Sequence, residues 1–426
     1  MTTATTAGPL LSGLSDLLPD LTTLYKDLHA HPELSFQEHR TAGVVAGRLR
    51  AQGWEVTEGV GRTGVVGVLR SGDGPTVLLR ADMDALPVEE ETGLPYASTA
   101  TAVTDDGREV PVMHACGHDV HVTALLGTTA LLAARPDAWR GTVVAVFQPA
   151  EEVGGAPVML EDGFADRFPR PDICLAQHTA PVPVGYAGSR PGTVMSSSDS
   201  LRVVLKGRGG HGSVPENTVD PVVLAASVVL RLQTVVSREV AAADMAVVTV
   251  GSLHTGTKEN IIPDTAELKI NIRADSPDVR RRVMEAVERV IRMESAVSGA
   301  AEPEIDHFQS YPITHNDPEA TVRTGEILSA AMPGPGRFLM LPRPLTGSED
   351  FGQFGQALGV PSVFWFFGTS DPALFTGFDP AALSSPPTGV PGSHSSRFAP
   401  LAAESVETGV RLMTTAAAHW LGAPDA

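Results

Sequence analysis

Short apolar runs of strand length, separated by helix-length periodic stretches, constrain this chain more than any other feature of its sequence. The runs are Gly64–Arg70, Thr76–Ala81, Thr142–Gln148, Asp172–His178 and Pro361–Phe367. Uninterrupted apolar runs are what strands need when both faces of their sheet are covered. Helical periodicity fills the spaces between them. One helix is expected from about Leu11 to His29. A second is expected over Phe36 to Arg50, where Ser35 and Glu38 have the spacing of a capping box, and a third through His121 and Leu131, with Asp119 as its cap. Strands alternating with helices predict an α/β fold with a mostly parallel sheet covered on both faces.

The rhythm changes in the middle of the chain. Strands are expected at Leu201–Leu205, Ala246–Leu253, Ala266–Arg273 and Glu304–Ser310, with helices at Asp220–Arg238 and Pro277–Ser295. The order βαββαβ is ferredoxin-like. At 426 residues the chain is too long for one ordinary core. The expected organisation is therefore a larger discontinuous domain over residues 1–194 and 309–426, with a smaller α+β domain over residues 195–308 inserted into it.

Charge and cysteine usage narrow the partners. Acidic residues outnumber basic ones by 50 to 31, a net charge of −19, and such a field repels phosphate backbones, so nucleic acid is not an expected partner. The two cysteines, Cys116 and Cys174, do not suggest a disulfide framework and fit a reducing compartment. The first twenty residues have neither a basic start nor a sustained apolar core, and no uninterrupted apolar run is long enough to span a bilayer. A cytoplasmic protein is the expectation.

The residues suited to chemistry gather at strand ends and turns. Met113-His-Ala-Cys116-Gly-His118-Asp119-Val-His121 puts a thiol and an imidazole two residues apart at a helix start, where they can converge on one metal ion. Cys116 as a nucleophile paired with a histidine is the rival reading. Gln148-Pro-Ala-Glu151-Glu152 places adjacent carboxylates after a strand, a costly arrangement unless one is ligated or protonated. The economical division gives one to metal and one to proton transfer. Gln177-His178 ends the next strand, and Asp82 and Asp84 follow another, as acids able to orient ligands. His394 follows the Pro/Gly/Ser-rich stretch Thr369–Gly392, a loop long enough to be functional. In the inserted domain a glycine-rich turn presents His211, and Asn260 with Arg273 could hold a carboxylate, since arginine offers a bidentate fork. Each feature alone has a bland structural explanation; four strand ends or turns carrying metal-type residues together are harder to dismiss.

With these residues in hand, the chain resembles the M20 metallopeptidase family, in its amidohydrolase branch of hippurate hydrolases, aminoacylases and indole-acetyl-amino-acid hydrolases. The matching segments are LHAHPELSFQEHRTA, LLRADMDALPVEE, MHACGHDVH, FQPAEE, LAQH, GRGGHGSVPENTVDP, ENIIPD, TGSEDF and GSHSSRF, in the family's order and covering nearly the whole chain. The resemblance implies two divalent ions, Zn²⁺ first, with Mn²⁺, Co²⁺ or Ni²⁺ as alternatives. Cys116 would bridge them, and His118, Glu152, His178 and His394 would complete the ligands. It implies that Glu151 is the general base, that Asp82 holds a ligand histidine in its useful tautomer, and that His211 reaches a partner subunit's active site across a dimer formed by the inserted domain, a tetramer being the other assembly to consider. Asn260 and Arg273 look like the substrate carboxylate clamp. The implied reaction is hydrolysis of N-acyl-L-amino acids; the alternatives are a carboxypeptidase or dipeptidase acting on short peptides and a catalytically silent metal-dependent binding protein. The long loop before His394, and Glu216 where relatives often have histidine, depart from the pattern and leave the acyl preference open.

Overall fold

The computed structural model describes residues 7–334, 336–375 and 389–423. Its chain divides into two units, one of Met1–Val194, His315–Arg343 and Asp350–Ala426, the other of Met195–Thr314 and Pro344–Glu349.

The larger unit is built on an eight-stranded sheet. Its strands are β1 (Glu55–Val60), β2 (Gly64–Ser71), β3 (Thr76–Asp82), β4 (Gly141–Gln148), β5 (Ile173–Pro183), β6 (Ala187–Ser189), β7 (Phe338–Met340) and β8 (Ser362–Ser370), in the spatial order β1-β2-β4-β3-β5-β8-β6-β7. The central pairs β4–β3, β3–β5 and β5–β8 are parallel, as is β6–β7. The pairs β1–β2, β2–β4 and β6–β8 are antiparallel. The α/β fold with a mostly parallel sheet is thus as the apolar runs predicted. Every residue of β8, and every residue but the first of β3, is buried, which is why neither strand shows alternation in sequence.

Helices α1 (Leu14–Ala30), α2 (His39–Ala51), α3 (His118–Ala134) and α4 (Ala402–Trp420) form the flanking layers. α3 is buried on nearly every side, and its Val120, Val122, Leu125 and Leu126 join Leu21 and Leu28 of α1 and Val406, Val410 and Met413 of α4 in one core. Two helix starts differ from expectation. α2 begins at His39, not Phe36, because Ser35 and Glu38 are committed elsewhere: Ser35 donates to Asp84, and buried Glu38 accepts the Ala150 N–H and the Thr63 hydroxyl. Asp119 lies inside the first turn of α3; the cap is Gly117, left-handed at φ 82°. β5 runs five residues beyond the expected His178, because parallel pairing with β8 continues to Pro183.

In the smaller unit the strands Ala246–Thr255, Thr265–Ala274, Ser197–Lys206 and Glu304–Tyr311 lie side by side in that order, all antiparallel. Helices Pro221–Thr234 and Pro277–Val297 supply the other half of its core, so the βαββαβ order gives the ferredoxin-like arrangement. The stretch Pro221–Glu239 is long and apolar enough in composition to cross a membrane. Its Leu224, Ala225, Val228, Leu232 and Val235 are buried in this core instead.

Most of the loop Thr369–Gly392 lies outside the described residues. Its described ends are the last residues of β8, a turn of 3₁₀ helix at Pro372–Leu374, and Gly389–Gly392.

Candidate metal centre

Parallel sheets present active-site residues at the carboxyl ends of their strands, and three neighbouring strands do so here. β3 ends at Asp82 and leads to Asp84, β4 leads to Glu151 and Glu152, and β5 carries His178. Cys116 and His118 arrive from the turn that opens α3. His394 comes from a loop whose backbone N–H donates to the Ala115 carbonyl. His394 and Ala150, the residue before the two glutamates, are both left-handed without being glycine (φ 68° and 55°). That costs about 1–3 kcal/mol each and is commonest where function dictates the backbone.

The side chains converge. Ligand-type atoms of Cys116, Glu152 and His394 lie within 4.8 Å of one another, as do those of His118, Glu151 and Glu152. Cys116 Sγ is 3.5 Å from His178 Nε2, and His394 Nε2 is 3.2 Å from Glu152 Oε1. Cys116, His118, Glu151, Glu152, His178 and His394, which the sequence nominated, therefore meet in one place.

The imidazoles are oriented from behind. His118 Nδ1 donates to the Asp84 carbonyl at 2.8 Å, leaving its buried Nε2 facing the cluster without a hydrogen-bond partner. His178 Nδ1 donates to the Thr179 carbonyl at 2.6 Å, which turns Nε2 toward Cys116. In each ring one nitrogen is anchored and the other presented, the usual arrangement of a metal-binding histidine.

The turn carrying the glutamates is also held by carboxylates. Asp84 accepts the N–H groups of Glu151 and Glu152 at 2.9 and 3.1 Å, and Glu38 accepts that of Ala150 at 2.8 Å. Sequence reasoning missed Glu38, whose spacing looked like a cap. Asp82, expected to hold a ligand histidine, lies with His118, His121 and His178 in a group whose ligand-type atoms are within 4.8 Å of one another. Asp82 bonds His121 and Arg80, and its nearest approach to His118 Nε2 is 3.8 Å, whereas Asp84 grips His118 through its carbonyl and lies 3.3 Å away through its carboxylate.

Electrostatics expresses the same crowding. Burial pushes the Glu152 carboxyl up to about 7, helped by the Cys116 sulfur. Burial alone would lower His178, but the neighbouring Cys116 carries it up to about 9. Hydrogen bonds to Cys116 and Glu152 hold His394 at about 10. Thiol and carboxylates concentrate negative charge in a buried place, and the chemistry of the donor set, one sulfur, imidazole nitrogens and carboxylate oxygens, fits a divalent ion that would neutralise it.

In the smaller unit, the short ribbon Gly210–His211 pairs with Ile261–Ile262, which brings His211 beside Asn260, whose carbonyl accepts the Gly212 N–H. Arg273 sits on strand Thr265–Ala274, half-buried, donating to the Asn271 side chain and the Thr346 carbonyl.

Residues 78–382 match the family model described as Peptidase family M20/M25/M40. The chain belongs to this family. Over 353 residues the M20 chain is 38% identical to a hippurate hydrolase of Campylobacter jejuni, an alignment covering 81% of this chain and 87% of the relative. Over 351 residues it is 37% identical to thermostable carboxypeptidase 1 of Saccharolobus solfataricus, covering 81% and 84%. Among solved structures it is similar to the YXEP protein of Bacillus subtilis, described as a dinuclear metal-binding peptidase of the M20 family. That match has a TM-score of 0.72 and 29% identity, and it covers 95% of this chain and 98% of the other. This M20 chain is accordingly a metal-dependent hydrolase.

Proposed function

We propose that the protein hydrolyses N-acyl-L-amino acids to a carboxylate and a free amino acid. The observation that carries this reading is the meeting of Cys116, His118, Glu152, His178 and His394 around a position that Glu151 also faces. Those five residues, Cys116 among them, would hold two divalent ions, Zn²⁺ first and Mn²⁺, Co²⁺ or Ni²⁺ as alternatives. Such ions supply Lewis acidity and lower the pKa of an attacking water toward ~7. Glu151, its backbone fixed by Asp84, takes the proton from that water and passes it to the leaving amine. His211 donates from Nε2 to the developing oxyanion: the Ser213 N–H points at its Nδ1 at 3.1 Å, so the neutral ring carries its proton on Nε2. Asn260 and Arg273 grip the substrate carboxylate.

His211 is read as serving a neighbouring subunit, in a homodimer joined through the smaller unit. Exposed Val223 and Leu230 on its helix, and Val247 and Leu253 on its edge strand, supply the apolar surface such an interface uses. The two thiols, free and buried, support a cytoplasmic location.

Carboxypeptidase action on short peptides is the second reading, favoured by the likeness to thermostable carboxypeptidase 1. Rates on acetyl, benzoyl and indolyl amino acids against dipeptides separate the two. The same panel run with a chelator, then with single metals restored, tests the chemistry. Activity lost to the chelator and recovered with a divalent ion is expected. Full activity after chelation, abolished by thiol alkylation, would make Cys116 the nucleophile instead.

A further inference from the structure

His121 has the residue type of a metal ligand and lies among the cluster, its ring centroid 4.5 Å from that of His178. Both of its nitrogens are taken. The backbone N–H of Thr179 can only donate, and it points at His121 Nε2 from 2.8 Å, so Nε2 is the accepting nitrogen. The ring proton therefore sits on Nδ1, which donates to Asp82 Oδ1 at 2.5 Å. The other Asp82 oxygen accepts from buried Arg80 at 2.5 Å. His121 keeps no lone pair for an ion.

Thr179, which no sequence motif singled out, uses all its polar groups in the same place. Its N–H meets His121, its hydroxyl donates to the Cys116 carbonyl at 2.9 Å, and its carbonyl accepts from His178 Nδ1. The approach of the two chains is close: a Cβ on Gly117 would lie 2.6 Å from the Thr179 hydroxyl oxygen. Thr179 thus joins the backbone that carries Cys116 to the ring of His178.

We propose that Thr179 and His121 are positioning residues forming a clasp that sets the 3.5 Å approach of Cys116 Sγ and His178 Nε2 for a shared ion, and that His121 is not itself a ligand. The inference rests on the reading of Cys116 and His178 as ligands. It adds a preorganised pair: the clasp holds two donors from different elements at binding distance before the ion arrives, so that less of the binding free energy is spent on ordering them.

The test measures metal stoichiometry by elemental analysis, affinity by competition with a chelator, and the thiolate-to-metal absorption band of the Co²⁺-loaded protein. Thr179→Val removes the bond to Cys116, and Thr179→Ser keeps it. His121→Asn keeps a donor near Asp82 and loses the Thr179 N–H, whereas His121→Gln reaches the Nε2 position and can still accept it. Affinity is expected to fall about 10–100-fold in Thr179→Val and His121→Asn. Thr179→Ser and His121→Gln should stay near wild type, with all four variants keeping two ions at saturation and an unshifted Co²⁺ band. A saturating stoichiometry of one ion in His121→Gln would make His121 a ligand and overturn the proposal. Wild-type affinity in both Thr179→Val and His121→Asn would show that the clasp does nothing. Fewer than two ions in the wild type would remove the two-metal reading itself, and the clasp with it.

Discussion

At the scale of the residue, the proposed function gives the two adjacent glutamates different work. Glu152 faces His118 and His394, Glu151 lies beside His118, and Asp84 accepts the backbone N–H of both. Glu151→Gln is expected to cut kcat by roughly 10²–10⁴-fold, the usual worth of a general base, with both ions retained. Loss of an ion in that variant would make Glu151 a ligand. Asp84→Ala removes the acceptor for two N–H groups of the glutamate turn and a carboxylate beside His118, so chelator competition should show weaker metal binding by about 10–100-fold. Asp82→Ala removes the acceptor of His121 Nδ1 and an acid 3.8 Å from His118 Nε2 but leaves the glutamate turn held, and it should weaken metal binding less. A different prediction concerns His29, buried between Asp119 and Glu90 at 2.6 and 3.1 Å. Burial alone would lower its pKa, but the bonds to those two acids carry it up to about 10. A folded pKa raised above the unfolded one stabilises fully below about pH 6.5, and that contribution is lost as pH rises through about 10. The Tm advantage of wild type over His29→Gln should therefore shrink by several degrees between pH 6.5 and pH 10. A constant difference would show that His29 stays neutral.

At the scale of the element, the strands were legible because an apolar run buried on both faces is a local property of the sequence. Helix starts were not. Ser35 and Glu38 have the right spacing for a capping box, but their side chains are used by Asp84, Thr63 and Ala150, partners that only the fold brings near. α3 starts on a left-handed glycine pressed against Thr179, so its position is set by the strand it crosses and not by a capping side chain. Gly117→Ala adds about 1–2 kcal/mol of left-handed backbone strain and a methyl group with no room. Its Tm should fall by several degrees, and its metal affinity should fall together with it, since Cys116 and His118 flank the site. An unchanged affinity would mean that the turn adapts without moving the ligands.

At the scale of the whole molecule, the ion site and the His211 ribbon belong to separate compact units, and the proposed mechanism needs both. The proposed dimer predicts that Leu230→Lys, on the exposed helix face of the smaller unit, gives a monomer in size-exclusion chromatography with light scattering where the wild type gives a dimer. Hydrolysis should fall by at least ten-fold while the ions stay bound. A monomeric variant with full activity would remove the partner subunit from catalysis.

The sequence by itself determined the α/β class, the ferredoxin-like order of the smaller unit and the set of side chains that converge at the strand ends. It could do so because burial of apolar runs is local, and a polar residue ending such a run must emerge at the edge of the sheet. Only the tertiary structure decided which atoms do what. The grip of Asp84 on the glutamate turn, the support of Ala150 by Glu38, and the clasp at Thr179 all rest on hydrogen bonds between distant residues. His121 and Asp82 are 39 positions apart, and Ala150 and Glu38 are 112 apart. The packing of α3 and of the turn before α2 against the sheet brings such partners within 3 Å, and no local pattern encodes it.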